Sequence, residues 1–179
     1  NLKNIDLDVV SESDSENDVN ALSKAHAKEV QVDEATHALI QVARKSMQLA
    51  KDRIIGYIAS GFDKNNLTEV PKLLEEVLGG VRIVQFDEAA SILQIAKDFV
   101  DLKILNHSQK PNDDKLEALA DVITSVEYYL EASEEGKYKG LNSILNGAEA
   151  SVRTLNNALH EVPVVTKEEV LNDSVADSS

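Results

Sequence analysis

The stretch Val70-Pro71-Lys72-Leu73-Leu74-Glu75-Glu76-Val77-Leu78-Gly79-Gly80-Val81-Arg82-Ile83-Val84 decides the fold class of this chain. Val70, Leu74, Val77, Val81 and Val84 recur at intervals of three and four residues, the period of a helix with one apolar face. Pro71 suits a first helical turn, where a missing N–H costs nothing, and Asn66 followed by Glu69 has the spacing of a capping box. Gly79 and Gly80 interrupt the pattern. A glycine inside a helix costs about 1 kcal/mol relative to alanine, so two together need a reason. Either another helix of the bundle comes close there, or the backbone of a partner protein approaches that face.

Four further stripes flank this one. Leu39, Val42, Ser46, Leu49 with Ala50, Ile54 and Tyr57 predict a long first helix that stops at Ser60-Gly61. Ala89, Leu93, Ala96, Val100 and Ile104 predict the third, which ends in the loop His107 to Asn112. Asp113 or Asp114 opens the fourth, with Leu116, Leu119, Ile123, Val126 and Leu130 inward. Gly136 and Gly140 bracket a turn, and Leu141, Leu145, Ala148, Val152, Leu155 and Leu159 form the fifth. Strand signals are almost absent and no repeat stands out at a fixed period. Five amphipathic helices joined by short connections predict an all-α antiparallel bundle, since each apolar stripe must find a partner.

Charge separates this bundle from its ends. The 179 residues carry 32 acidic and 18 basic side chains, a formal net charge of -14. Residues 1–36 hold nine acids and three bases, and residues 161–179 hold five and one, so most of the imbalance lies outside the stripes. The polar run Ser11 to Asp18 and the end Asn172 to Ser179 lack the apolar content that offsets ordering entropy. The expected organisation is an acidic disordered linker at 1–34, the bundle at 35–160 and a second acidic linker at 161–179. Asn1 in place of Met fits a segment of a longer protein.

The same composition excludes several chemistries. Without cysteine there is no disulfide, thiol nucleophile or cysteine-held metal. Nucleic acid and anionic membranes need clustered lysine and arginine. No apolar run approaches the roughly 20 residues of a membrane span, and no signal segment opens the chain. A soluble intracellular protein is expected. Glu34 and His37 have the Glu-x-x-His spacing of bundle di-iron sites, but one pair at the start of a helix is half of such a site, so neither metal nor cofactor is expected. There is no Gly-x-Ser-x-Gly elbow and no phosphate-binding Gly-Lys-Ser/Thr loop. Glu75 and Glu76 are adjacent, so they point about 100° apart and do not converge on one substrate atom.

The run Leu73 to Ala90, together with Leu119-Ala120-Asp121-Val122-Ile123-Thr124-Ser125-Val126-Glu127-Tyr128-Tyr129-Leu130-Glu131, resembles histidine phosphotransfer (HPt) domains. It is most similar to the FimL-like domains found near the start of the chemotaxis-type histidine kinase of type IV pili, ChpA or PilL. The resemblance covers residues 35–160 and implies a four-helix HPt-like core. An active HPt helix carries His-x-x-Lys-Gly. In register with it, this chain has Glu75 at the histidine, Leu78 at the lysine and Gly79 at the glycine. None of His26, His37, His107 and His160 sits in such a context.

The resemblance thus implies a non-catalytic pseudo-phosphotransfer module of a two-component system controlling type IV pili and twitching motility. It implies docking to protein partners, either response-regulator receivers or a polar scaffold protein, in the cytoplasm and at the cell pole. The expected contacts are Lys72, Glu75, Glu76, Gly79 and Arg82, with Arg82 alternatively paired to acids of the third helix. Tyr128 and Tyr129 cannot both face one core, and Tyr128 joins the interface candidates. Two alternatives remain open: an active phosphotransfer domain using an unconventional histidine, and a general helical scaffold unrelated to phosphorelay.

Overall fold

The computed structural model describes residues 11–137 and 139–161, with side chains from Glu16 onward. The elements are α1 (Ser11–Ala59), a 3-10 turn (Lys64–Leu67), α2 (Val70–Ile83), α3 (Asp87–Asp98), α4 (Asp113–Glu134), α5 (Leu141–Gly147) and α6 (Glu149–His160). A π-helical stretch, Phe99–Leu105, continues α3. No strand occurs among the described residues.

Side-chain pairs set the register of the first four helices. Arg53 meets Glu69 at 2.9 Å and Ser46 donates to Glu76 at 3.0 Å, so α1 and α2 are antiparallel. Lys97 meets Glu75 and Arg82 meets Gln94, which runs α3 back along α2. Phe86, at the turn before α3, packs edge-to-face on Tyr129 of α4. Lys51 meets Glu127 at 2.6 Å and Arg44 pairs with Glu131 and Glu134, which closes α4 onto α1. The result is an up-down four-helix bundle in which each helix touches the next and the fourth returns to the first. Helix α6 lies against α3, its π-helical extension and α4, and α5 packs chiefly on α4.

The shared core contains Met47, Tyr57, Leu74, Leu78, Leu93, Phe99, Leu119, Ile123 and Leu130, all essentially inaccessible. Burying each such side chain contributes about 1.5–3 kcal/mol. Helix ends are closed by local chemistry. The Asn112 side chain accepts from the Lys115 N–H at the start of α4. Gly136, with φ of +71°, ends that helix while Lys137 N–H donates to the Ala132 carbonyl. Gly140, with φ of +88°, leads into α5, so the two glycines do bracket the turn.

Four sequence expectations change. The buried stripe of α1 is Ile40, Ala43, Ser46, Met47, Ala50, Ile54 and Tyr57, whereas Val42 and Leu49 are 63% and 46% exposed. Ala50, Ser46, Ile54 and Tyr57 are buried as read, but the bulkier Val42 was chosen over Ala43, which the close α1–α2 contact at Gly80 favours. Residues 11–34, expected as disordered linker, are helical. Extending an existing helix costs far less than nucleating one, so α1 reaches N-terminal of the bundle although every described side chain from Glu16 to Ala35 is exposed. Glu34 therefore lies within α1 rather than at its start. The single fifth helix is two, because the chain breaks at Gly147-Ala148 before α6 begins at Glu149. Finally, Asn66 forms no capping box: its amide donates to Ser60 Oγ and the Asp63 carbonyl, and Glu69, just before α2, makes no side-chain cap. Of the stretch expected as a second linker, 161–179, all but Glu161 lies outside the described residues.

Candidate docking surface on helix α2

Helix α2 buries Val70, Leu74, Val77, Leu78 and Val81, which leaves Lys72, Glu75, Gly79 and Arg82 on its solvent side. The two glycines turn out to serve different purposes. A Cβ built on Gly80 would lie 3.4 Å from Ala43 Cβ and 3.6 Å from the Leu39 carbonyl oxygen. Gly80 is thus where α1 and α2 approach closely. A Cβ on Gly79 would meet nothing within 4 Å, so packing within the bundle places no demand on that glycine.

Glu75 sits mid-helix, about half exposed, with its carboxylate between two cations. Lys97 of α3 is 2.5 Å away and Arg82, two turns along α2, is 3.8 Å away. The hydrogen bond from Lys97, then its charge, holds the Glu75 carboxyl below the usual carboxylate range. Arg82 also donates to Gln94 Oε1 at 3.0 Å, and Gln94 donates to Asp98 at 2.9 Å. A polar lattice therefore ties the exposed edge of α2 to α3. The alternative partner foreseen for Arg82 is half right in place and different in kind: on α3 it meets an amide, and its acid is Glu75 on its own helix.

Of the residues singled out from sequence, Lys72, Glu75, Gly79 and Arg82 share one face. Glu76 is exposed but leans toward α1, where it accepts from Ser46. Tyr128 is 59% exposed, while Tyr129 is buried against Phe86, as two adjacent helical tyrosines require. Tyr128 lies on α4, which packs on α1, α3, α5 and α6, near Lys137 and Glu131 rather than on the Glu75 face. Lys97 is the residue that reading the sequence missed. A signal existed: Glu75 and Lys97 are equally distant from Phe86, the turn of the α2–α3 hairpin.

None of the histidines lies on this face. His26 and His37 are exposed on α1, His107 is in the loop before α4, and His160 ends α6 with Nδ1 at 2.7 Å from the Asn156 carbonyl. Among the described residues, no three His, Asp or Glu side chains are grouped to hold a metal ion. No helix among them is long and apolar enough to cross a membrane.

Comparison with known proteins bears on this arrangement. Over 125 residues, 70% of the chain, the sequence is 36% identical to a protein described as Scaffold protein FimL from Pseudomonas aeruginosa (strain PAO1). That stretch is 22% of the relative, so the chain spans about a fifth of the curated protein it matches. No solved structure matches. Residues 30–152, which hold the four-helix core and the α2 surface, match the family described as FimL C-terminal domain, and the chain belongs to that family.

Proposed function

We propose that this domain is a non-catalytic docking module, a pseudo-phosphotransfer domain in the chemosensory system that controls type IV pili, with the α2 face as its contact surface. The carrying observation is the unforced glycine. Gly79 costs helix stability, faces solvent and has no neighbour to accommodate, so a surface that must accept another backbone is the reason for its lack of a side chain. Glu75, in the position where the HPt resemblance places the phosphorylated histidine, is a carboxylate already neutralised by Lys97 and Arg82. It forms no phosphoramidate and is poised to exchange those cations for groups of a partner. The relative's description as a scaffold protein supports a role exercised through protein contacts. Receiver domains of the pathway and a polar scaffold protein are the partners this reading implies, with a cytoplasmic location at the cell pole.

Two measurements test it. Incubated with a phosphorylated cognate receiver, the domain should acquire no acid-labile phosphate; label on any histidine would establish the active alternative instead. In calorimetric titration against pathway receivers and scaffold proteins, Gly79→Leu should weaken binding at least tenfold while the helical spectrum is unchanged. Equal affinity for both forms would remove α2 as the docking face.

A further inference from the structure

At the end of the bundle away from the start of α1, a pocket of about 360 Å³ opens between the π-helical extension of α3, the loop after it and the first turn of α4. Lys103, His107, Lys110 and Lys115 line it, and Glu161 is the one acid among the described residues that do. Three lysines on one concavity run against the grain of a chain whose net charge is -14. Lys64, from the 3-10 turn, donates to the His107 carbonyl and so ties down the loop. Lys110 is engaged elsewhere, 3.6 Å over the Phe62 ring and 3.3 Å from Asp113. Lys103 and Lys115 are partly buried, and both meet Glu161. Lys115 Nζ lies 2.5 Å from its carboxylate, whereas Lys103 Nζ donates to its neutral backbone carbonyl at 3.0 Å. Two ammonium charges partly withdrawn from water are thus matched by one carboxylate, and a buried charge is costly unless paired.

We propose that this pocket is a binding site for a small phosphate monoester, and that the Glu161 carboxylate occupies its cationic part until the ligand displaces it. Charge, donors and volume point to that ligand. A phosphate monoester carries about -1.5 to -2 at pH 7, which matches Lys103 and Lys115 together. A carboxylate brought by another molecule would be a single charge, no better than the Glu161 it replaces. Each ammonium has three N–H donors and keeps capacity for more acceptors than Glu161 supplies. The His107 ring accepts at Nδ1 from the Gln109 N–H at 3.4 Å, which leaves Nε2 as a further donor. Small-molecule sites run from about 300 to 1,000 Å³, so there is room for more than a lone anion, and Gln109 and Asn112 on the lining suit a hydroxyl-bearing body. Glu161 is well placed to leave: it follows the last residue of α6 in extended backbone, and its side chain is 58% exposed. The site is independent of the α2 surface.

Amide NMR spectra of the full 179-residue chain test this, titrated at constant ionic strength near pH 7.5 with inorganic phosphate, ribose 5-phosphate and acetate. Both phosphates should shift Gln109, Asn112 and Lys115 saturably, ribose 5-phosphate at the lower concentration, and acetate should not. Glu161→Gln removes the competing carboxylate but keeps the backbone carbonyl that Lys103 holds, and should tighten ribose 5-phosphate binding severalfold. Lys103→Gln/Lys115→Gln should weaken it by about tenfold or more, as loss of hydrogen bonds to a charged group does, with the remaining signals unmoved. Should that double variant fail to fold, Glu161→Gln still decides, since its side chain lies outside the core. Absence of a saturable shift, a response to acetate equal to that to phosphate, or unchanged affinity in Glu161→Gln would each overturn the proposal. Saturation by inorganic phosphate without any by ribose 5-phosphate marks a bare anion site and overturns the monoester assignment.

Discussion

Gly79 and Gly80 are neighbours in sequence with opposite reasons to be small. Gly80 lies in the α1–α2 contact, where a Cβ would already touch Ala43 at 3.4 Å and the Leu39 carbonyl at 3.6 Å, leaving no room for a larger side chain. Forcing a leucine there should open the α1–α2 contact and cost about 1–3 kcal/mol, read as a lower urea midpoint. Gly79 faces open space, so Gly79→Leu should gain about 0.8 kcal/mol of helix propensity, read in the same experiment. A loss of stability on Gly79→Leu would mean that the bundle itself needs that glycine. The sequence flagged the pair, since two interior glycines are anomalous in any helix, but the assignment of one to packing and one to the surface depends on where α1 passes.

The elements show how far periodicity carries. In α3 and α4 every stripe residue read from the sequence is buried, because Ala89, Leu93, Ala96, Val100 and Ile104, and Leu116 through Leu130, repeat at helical spacing without competitors. In α1 two aliphatic stripes coexist, and only contact with α2 and α4 selects the one containing Ala43 and Met47. The N-terminal part of α1 bears on a separate expectation. Since all described side chains from Glu16 to Ala35 are exposed, deleting residues 1–28 should leave the thermal midpoint unchanged within a degree or so. A clear drop would show that this part of the helix contributes to the bundle. The α5–α6 break was not visible in the sequence, because Leu141, Leu145, Ala148, Val152 and Leu155 keep a helical period straight through Gly147-Ala148.

For the whole molecule, the inter-helix ion pairs set a pH dependence whose sign follows from the carboxylates. The hydrogen bond from Arg44 holds the Glu134 carboxyl below its usual value, as Lys97 does for Glu75. A folded-state value below the unfolded one means that the stabilisation is fully present above the ordinary carboxylate value of 4.5 and is lost as pH falls through the depressed values. Wild type should therefore lose more thermal stability between about pH 5 and pH 3 than Glu134→Gln does; equal losses would mean the α1–α4 pair contributes nothing. The amino-acid sequence by itself determined that this chain is an all-α bundle, where most stripes lie, and that two adjacent glycines interrupt the second helix. Those properties are local, written in residue types and in spacing along one helix. Only the tertiary structure decided that Lys97 neutralises Glu75, that Gly79 is free while Gly80 is packed, and that Tyr128 lies away from that face. Lysines from α3's extension and α4 likewise meet Glu161 in one pocket only once the chain is folded. These depend on which helices become neighbours and in what register, and helical period is silent on both.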